Sequence, residues 1–392
     1  MSEKFASLFD WLQFEAGRTA DPGELLAALC DRLNQARVGV GFAALEIAAL
    51  HPLVTGSVFE WWREDPRALE HLRFHGSFGG GTAPGSSPRN VLGGDALARV
   101  RLRDAPLAEG AGELADLCTR GLTDYLALTL EFSDGSQHAV AFATDRNNGF
   151  DREQLRLLRR VSRLLTAPVE ILVTRQTAAT LMKTYLGPRT GLRVLAGAIK
   201  RGDGVTVRAV LWYSDLRGFT ALSEKLPRDE IIALLNAYFE RLAAPVKAFR
   251  GEILKFMGDG LLAIFPIDDP EAQGRACDQA LKAVRAARAG MAAFNGERQA
   301  NDQPPLEFGV ALHVGEVMYG NIGAPDRLDF TVIGPTVNLA SRLEALCKSS
   351  GCPVLASESF ARVCGEPLRH VGTYELPGID DPVSVYTMTE LA

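Results

Sequence analysis

Two aspartates that stand beside glycines and apolar strands are the residues of this sequence best suited to chemistry. Asp215 follows the apolar run Ala209–Tyr213, and Asp259 lies in the turn Gly258–Gly260 in front of a second apolar run, Leu261–Phe265. An acidic side chain beside an apolar strand is costly unless something compensates its charge. If neighbouring strands bring the two carboxylates together, the pair is suited to Mg²⁺; otherwise they are ordinary turn aspartates.

The composition indicates a globular protein with two or three domains. Of the 392 residues, 47% are hydrophobic and 23% are charged, and the formal net charge of −6 argues against a nucleic-acid partner. The six cysteines are scattered without a CxxC pair, which predicts reduced thiols and a cytoplasmic location. The first residues do not have the pattern of a signal peptide, and no apolar run has the length of a transmembrane helix.

The N-terminal part, residues 1–150, predicts a small α/β unit with an antiparallel sheet. Two helices are expected within residues 1–35, followed by strands at Val38–Leu50, Ser57–Trp62 and Ala96–Leu102 and a hairpin of Thr123–Phe132 with Gln137–Thr144. The segment from Thr123 to Leu165 resembles the C-terminal half of GAF-type sensor domains, which implies a sensory or regulatory domain in signal transduction.

The signal that such a domain would sense does not follow from the sequence. Trp61, Trp62, His71 and His75 line a ligand or haem pocket, or they are plain core and surface residues; the second interpretation is favoured. The glycine-rich stretch Gly76–Gly94 lacks the Lys-Ser/Thr ending of a P-loop, so we expect a flexible surface loop there.

Residues 151–204 predict a helical linker. Leu157, Leu164, Ile171 and Ala178 recur every seven residues, and Leu158, Leu165, Leu172 and Ala179 repeat the pattern one position later. Such spacing favours a supercoiled, dimerising helix pair. The alternative is that this face packs on its own domain, and Pro168 argues against one uninterrupted helix. The segment Tyr185–Gly191 is expected to end the helix.

Residues 205–392 alternate strands and helices in a pattern that predicts an α+β sandwich on a mixed sheet. Three segments of this part resemble the catalytic domain of class III adenylate and guanylate cyclases. They are SDLRGFTALSE, KFMGDGLLAIF and GVALHVGEVMYGNIGAPDRLDFTVIGPTVNLASRLEA. The resemblance covers roughly residues 205–390. It implies a ferredoxin-like fold, homodimers arranged head to tail, and active sites shared between two subunits.

The resemblance also implies roles for individual residues. Asp215 and Asp259 match the family's metal-binding aspartates, and the backbone carbonyl of Leu216 would complete a shell for two Mg²⁺ or Mn²⁺ ions per site. Phe219 begins a helix whose first amides could face phosphate oxygens. Asn338 would orient the ribose, and Arg342, four residues later on the same helix face, would stabilise charge on the α-phosphate.

Base recognition is implied by two further positions. Lys255 matches the family's adenine-selecting lysine, and Thr331 stands at the second purine-reading position, as in the bacterial and bicarbonate-responsive branch. A lysine can donate to adenine N1 and a hydroxyl can accept from the 6-amino group, so ATP is favoured over GTP. Arg327 lies near a position from which the family contacts the β- and γ-phosphates. Pro377 stands where the family often has a phosphate-binding lysine, and the sequence does not identify its replacement.

These residues together predict an adenylate cyclase that converts ATP into 3′,5′-cyclic AMP and pyrophosphate under the control of its N-terminal domain. Three alternatives remain open at this point. They are a guanylate or relaxed-purine cyclase, an inactive nucleotide-binding or dimerisation module, and a nuclease or polymerase-type two-metal enzyme, which the acidic charge disfavours.

Overall fold

The computed structural model describes residues 5–48, 54–74, 87–104 and 112–391. The chain divides into two compact units, Met1–Leu181 and Met182–Ala392, and the boundary falls inside the predicted linker. His75 and most of the glycine-rich stretch lie outside the described residues. None of the helices within the described ranges combines the length and the apolar character that crossing a membrane requires.

The N-terminal unit is built on a six-stranded antiparallel sheet with the strand order β3-β2-β1-β6-β5-β4. Its strands, in chain order, are β1 (Phe42–Ala48), β2 (Val54–Trp62), β3 (Asp65–Phe74), β4 (Leu97–Arg101), β5 (Asp124–Glu131) and β6 (Gln137–Thr144). Its helices are α1 (Ala6–Phe14), α2 (Pro22–Gln35), α3 (Pro88–Leu92), α4 (Gly112–Thr119) and the long α5 (Arg152–Leu186), which continues past the unit boundary.

Both faces of this sheet are covered because successive strand residues point to opposite sides. Phe59 and Trp61 pack on the face that α1, α2 and the first half of α5 cover, whereas Phe42 and Val58 pack on the face of α3 and α4. The α2 helix begins at Pro22, because the carboxylate of Asp21 caps it by accepting a hydrogen bond from the Glu24 amide at 2.9 Å.

Strand β3 and the short helices α3 and α4 were missed by the sequence analysis. The alternation that reveals a half-buried strand is absent from β3, because it is an edge strand whose large apolar residues are exposed. Leu69, Leu72 and Phe74 are all more than half exposed.

The long helix corrects two expectations about the linker. Pro168 does not interrupt α5: although proline removes one helix hydrogen bond, Pro168 and Val169 are buried in the N-terminal unit, and this packing keeps the helix continuous. The repeat residues Leu157, Leu165 and Leu172 are also buried in that unit's core. For them the seven-residue spacing reflects packing on their own domain, and a dimerising helix pair stays a prediction.

The C-terminal unit is a mixed α+β domain with an eight-stranded sheet. Seven strands follow the order β13-β14-β12-β10-β7-β9-β8, and β11 pairs with the far end of β10. The strands are β7 (Gly204–Leu216), β8 (Glu252–Met257), β9 (Gly260–Pro266), β10 (Phe308–Ala324), β11 (Arg327–Ile333), β12 (Val354–Ser357), β13 (Leu368–Tyr374) and β14 (Val383–Met388).

The helices of this unit are α6 (Pro188–Leu195), α7 (Phe219–Ser223), α8 (Arg228–Ala248), α9 (Gln273–Ala300), α10 (Pro335–Ser350) and α11 (Glu358–Ala361). Helices α8 and α9 cover one face of the sheet, and α10 packs on the other. The unit β7-α8-β8-β9-α9-β10 gives the spatial order 4-1-3-2 for its four strands, so the predicted ferredoxin-like fold is confirmed. Helix α6 was not predicted, although the break before it was.

Candidate active site

A tight hairpin between β8 and β9 holds Asp259. Met257 pairs with Gly260, which leaves Gly258 and Asp259 as the two residues of the turn. Gly258 has a φ of 64°, a conformation that glycine adopts without strain, and such a glycine at the first turn position is typical of a type II′ hairpin. The local sequence Met-Gly-Asp-Gly therefore fixes Asp259 at the tip of the hairpin.

The neighbouring strand β7 brings Asp215 to this tip. Ser214 pairs with Leu261 at the start of β9, so Asp215 lies beside the turn. A β-carbon added to Gly260 would stand 3.2 Å from Oδ1 of Asp215, which shows how closely the carboxylate approaches the hairpin. The structure thus brings together the two aspartates that the sequence singled out.

The proximity of the two carboxylates is visible in their electrostatics. Burial, and then the charge of and a hydrogen bond with Asp259, raise the pKa of Asp215 to about 6. A carboxyl group resists ionisation in this way when it is partly desolvated and lies beside another acid. A cation between or beside the two side chains would relieve the repulsion.

A third acid, Glu344 on α10, stands close to this pair and was not identified from the sequence. Its carboxylate lies against Gly309, which is the β10 residue directly opposite Asp215 in the strand ladder. Burial, followed by the charge of Asp215, raises the pKa of Glu344 to about 7, while Arg217 acts in the opposite direction. The available sequence signal was the spacing of Glu344, two residues after Arg342. This spacing places Glu344 on a different side of α10 from Asn338 and Arg342.

Buried polar groups lie behind the aspartates. Nε1 of Trp212 donates a hydrogen bond to Oγ of Ser214 at 3.0 Å, and both residues are fully buried. Burial, with the charge of Asp215 as the next cause, raises the pKa of the Tyr238 phenol on α8 well above its usual range. The phenol therefore stays neutral, and Tyr238 packs in the same core cluster as Trp212 and Leu216 of β7.

The donor set at the hairpin fits a hard divalent cation. Mg²⁺ in proteins is typically held by one or two carboxylates together with waters and substrate phosphates, rather than by a complete cage of side chains. Among the described residues no group of three or more His, Cys, Asp or Glu side chains is arranged to hold a metal. The half-buried pair Asp215 and Asp259 matches the first arrangement, in which phosphate oxygens complete the shell.

The residues expected near a purine base lie on β8 and β11. Arg327, Asp329 and Thr331 alternate along β11 with the buried Phe330 and Val332, so the three share one face. The ammonium of Lys255 on β8 forms an ion pair with the carboxylate of Asp329. The sequence analysis did not identify Asp329, whose position two residues before Thr331 on a strand was the available signal.

Asn338 and Arg342 lie on the outer face of α10. Both side chains are exposed, whereas Leu343 and Cys347 of the same helix are buried. Within the described residues, no hydrogen bond or ion pair joins Asn338 or Arg342 to either aspartate. Nε of Arg342 instead donates to the backbone carbonyl oxygen of Pro377 at 3.2 Å. The pair is therefore accessible to a molecule outside its own domain.

The two remaining site residues flank the end of β7. Leu216 is the last residue of that strand and is buried. The partly buried side chain of Phe219 packs against the domain core at the start of α7, which has only five residues. Any contact of Phe219 with substrate would thus come from the backbone.

In the N-terminal unit the three candidate pocket residues that the structure describes do not converge. Trp61 belongs to the core on one face of the sheet, and Trp62 packs on the other face, with its ring centroid 4.6 Å from that of Phe42. His71 is on the edge strand β3, where Nε2 lies 3.7 Å from the Glu60 carboxylate. These placements agree with the favoured interpretation of core and surface residues.

Comparison with known proteins points to one family. Residues 200–389 match the family model of the adenylate and guanylate cyclase catalytic domain. Adenylate cyclase 1 of Rhizobium meliloti is 32% identical over 176 residues, which cover 44% of this chain and 26% of that protein. An adenylate cyclase of Anabaena cylindrica is 34% identical over 197 residues, covering 48% of this chain and 38% of that protein. The chain thus spans only a quarter to two fifths of these curated relatives.

Solved structures of cyclases also match about half of this chain. The adenylyl cyclase CyaB from P. aeruginosa is 29% identical and covers 47% of this chain and 94% of its own, with a TM-score of 0.43. The guanylyl cyclase Cya2 is 30% identical and covers 48% and 99%, with a TM-score of 0.42. TM-scores of this size do not establish a fold on their own, so the assignment rests on the strand order and the family match. The chain contains a catalytic domain of the adenylate and guanylate cyclase family at residues 200–389.

Proposed function

We propose that this protein is an adenylate cyclase, which converts ATP into 3′,5′-cyclic AMP and pyrophosphate. The observation that carries the proposal is the meeting of Asp215 and Asp259 at the β8–β9 hairpin of a cyclase-family domain. The reaction is an attack of the ribose 3′-hydroxyl on the α-phosphorus of the same nucleotide. It depends on alignment and charge neutralisation rather than on a covalent enzyme intermediate.

Asp215 and Asp259, with the carbonyl of Leu216, would hold two Mg²⁺ or Mn²⁺ ions. Such ions, when bound, lower the pKa of the 3′-hydroxyl and offset the charge of the triphosphate. The chain's own contribution is to hold Asp259 at the tip of the hairpin and Asp215 beside it on β7, where Trp212 and Ser214 form a buried hydrogen bond. The raised pKa of Asp215 supports this role, because it reflects burial and the nearby charge of Asp259, and a bound cation would offset both.

The exposed face of α10 supplies the groups that act on the ribose and the α-phosphate. Asn338 would orient the sugar through its amide, and Arg342 would stabilise the charge that develops on the α-phosphate. A guanidinium suits this task because its planar fork matches phosphate oxygens. The Arg342–Pro377 hydrogen bond uses Nε and leaves the terminal nitrogens available.

Lys255 and Thr331 support ATP as the substrate. The lysine ammonium can donate to adenine N1, and the threonine hydroxyl can accept from the 6-amino group. The ion pair with Asp329 holds the lysine near the face of β11 that carries Thr331. Arg327 lies on the same face at the start of the strand and is exposed, so it is available to the β- and γ-phosphates.

The active sites would form between two copies of the chain. Asn338 and Arg342 are exposed, and among the described residues neither forms a hydrogen bond or ion pair with the aspartates, so each half of the site would need a partner. A homodimer carries every required residue twice and would contain two equivalent sites. A monomer would be inactive.

The N-terminal unit would regulate this activity as a GAF-like sensor. Its six-stranded antiparallel sheet with helices on both faces supports a compact ligand or interaction module. Helix α5 begins in this unit and ends at Leu186, which belongs to the catalytic unit. A change in the packing of α5 could alter the relative position of the two half-sites, to which catalysis is sensitive on a scale of about 1 Å.

A direct assay tests the proposal. Cyclic nucleotide formation would be measured with Mg²⁺ or Mn²⁺ and either ATP or GTP, for the full chain and for Asp259→Asn. We expect cyclic AMP from ATP and a loss of at least about 100-fold in the variant, because the metals supply several kcal/mol of transition-state stabilisation. The matched control is Asp302→Asn, which changes an exposed aspartate of the same unit.

The same assay separates the alternatives. Faster turnover of GTP would indicate a guanylate cyclase, and equal rates would indicate a relaxed-purine enzyme. Nucleotide binding without turnover of either substrate would contradict the proposal and indicate an inactive signalling module.

A further inference from the structure

A cavity on the α9 side of the catalytic unit has no part in the proposed reaction. It lies between α9, the start of β10 and the loop after α10, and its volume of about 310 Å³ is at the lower end of the range typical of small-molecule pockets. Neither Asp215 nor Asp259 lines it. Two arginines, Arg217 and Arg288, line the cavity. Its apolar lining includes Met291, Leu306, Phe308 and Pro353.

Arg288 enters this cavity without a carboxylate partner. It is partly buried on α9, and no carboxylate of the described residues lies within ion-pair distance of it. Burial, and then the positive charge of Arg217, lower the pKa of Arg288. A partly buried guanidinium beside a second one is unfavourable unless an anion compensates both.

Arg217 also has unused hydrogen-bonding capacity. Its Nη2 atom donates to the carbonyl oxygens of Cys347, at 3.0 Å, and Cys352, at 3.4 Å, near the end of α10. Its Nε atom is buried and has no partner within the described residues. A buried donor without an acceptor is unfavourable, so the Arg217 side chain has a hydrogen-bonding group that its own chain leaves unsatisfied.

The nearby acids do not fill this role. Glu344 interacts favourably with Arg217 from the side of the aspartate pair, yet it forms no ion pair with it among the described contacts. Glu307 lies at the rim, where its side chain is exposed, and it is its backbone carbonyl that accepts from the Arg217 amide at 2.8 Å. The cavity thus has an excess of positive charge facing its interior.

We propose that this cavity is a binding site for a phosphate monoester. Two guanidinium groups can share the oxygens of one phosphate in the paired geometry that arginine favours. The wall of Met291, Leu306 and Phe308 gives an apolar surface for the organic part of the ligand. A bound ligand would contact Arg217, which follows Asp215 by two residues and donates hydrogen bonds near the end of α10. The ligand would therefore contact a residue next to the active site without entering the site.

Binding is tested by titration calorimetry on the full chain, without divalent metal, using inorganic phosphate and phenyl phosphate as probes. We expect both probes to bind and phenyl phosphate to bind more tightly, because only it can use the apolar wall. Arg288→Gln should weaken phosphate binding about tenfold or more, as expected for the loss of a charge-assisted hydrogen bond. Arg275→Gln, which removes the same charge from an exposed position of α9, should leave it unchanged.

A second variant keeps the test decisive if Arg288→Gln disturbs the helix. Ala292→Leu narrows the cavity and leaves both arginines in place, so it should weaken phenyl phosphate more than inorganic phosphate. Unaltered phosphate binding in both variants would place the anion elsewhere and overturn the proposal. Absence of binding of both probes to the unmodified chain would overturn it as well. Because calorimetry needs no turnover, neither outcome depends on the cyclase activity.

Discussion

Arg342 and Pro377 are joined by a hydrogen bond from Nε to the backbone carbonyl oxygen, at 3.2 Å. The backbone of Pro377 therefore holds the proposed transition-state arginine, and this contact does not depend on which side chain stands at position 377. Gly378 has a φ of 75°, and the Ile379 amide donates to the Leu376 carbonyl at 3.0 Å, so Pro377 and Gly378 form a tight turn.

The first prediction concerns this turn. Pro377→Lys should lower the KM for ATP by about three- to tenfold with little change in kcat, because a charge-assisted contact with the triphosphate is added while the carbonyl that holds Arg342 stays. The measurement is steady-state kinetics with Pro377→Met as the uncharged control. An equal effect of both substitutions would assign the change to the turn and contradict the electrostatic explanation.

The second prediction concerns sharing of the site between two chains. Asp259→Ala and Arg342→Ala should each be nearly inactive alone, and an equal mixture that is allowed to exchange subunits should regain about a quarter of the wild-type rate. Half of the dimers would then be mixed, and each mixed dimer holds one intact site of two. Cyclic AMP formation after co-expression or exchange measures this. Two inactive variants that stay inactive as a verified mixed dimer would place each site within one chain.

The third prediction concerns the repulsion between Asp215 and Asp259. In the presence of a chelator, Asp259→Asn should raise the unfolding temperature of the catalytic unit by roughly 2–4 °C, because removing one charge relieves its partner. Excess Mg²⁺ should stabilise the wild type and not the variant. Asp302→Asn should behave as wild type under both conditions. A lower unfolding temperature for Asp259→Asn without metal would show that the two carboxylates do not repel each other.

The fourth prediction concerns pH. Because the folded-state pKa values of Asp215 and Glu344, about 6 and about 7, exceed the usual carboxyl range, these two groups bind more protons in the folded protein than in the unfolded chain between about pH 4 and pH 7. The contribution of these groups to the free energy of unfolding therefore falls as pH rises through this window. Glu344→Gln should remove part of that loss, so its stability advantage over wild type should grow from pH 4.5 to pH 7.5.

Comparison of the two proteins at each pH is necessary because His313 acts with the opposite sign. Burial lowers its pKa to about 4, so its contribution to stability is lost as pH falls from about 6.5 towards 4. His313 is present in both proteins, and the difference in unfolding temperature between them isolates Glu344. A difference that does not vary with pH would show that Glu344 titrates normally.

The fifth prediction concerns the ion pair of Lys255 and Asp329. The lysine side chain is 43% exposed, so the contact serves to orient it more than to stabilise the fold. Asp329→Asn should lower kcat/KM for ATP about three- to tenfold and narrow the preference for ATP over GTP, because a flexible lysine discriminates the purine edge less well. Asp326→Asn, in the turn before β11, is the control. Unchanged selectivity in Asp329→Asn would remove this residue from base recognition.

Much of the catalytic half follows from the sequence by itself. The apolar runs predict β7 and β9. The segment Met-Gly-Asp-Gly predicts the hairpin that presents Asp259, because a glycine at a positive φ permits a two-residue turn. The four-residue spacing of Asn338 and Arg342 places both on one face of α10. These features depend on neighbouring residues, so local propensity and periodicity suffice to predict them.

Other features depended on which distant segments come together. The edge strand β3 escaped prediction because its large apolar residues are exposed, and Pro168 lies inside a continuous helix because tertiary packing compensates the missing hydrogen bond. The proximity of Glu344 to Asp215 depends on how α10 packs over Gly309.

The contacts Lys255–Asp329 and Arg342–Pro377 join residues 74 and 35 positions apart. Spacing along the chain carries no information about such pairs, because strand register and helix packing decide them. The sequence therefore determined which groups are available for chemistry, and only the tertiary structure decided which of them meet.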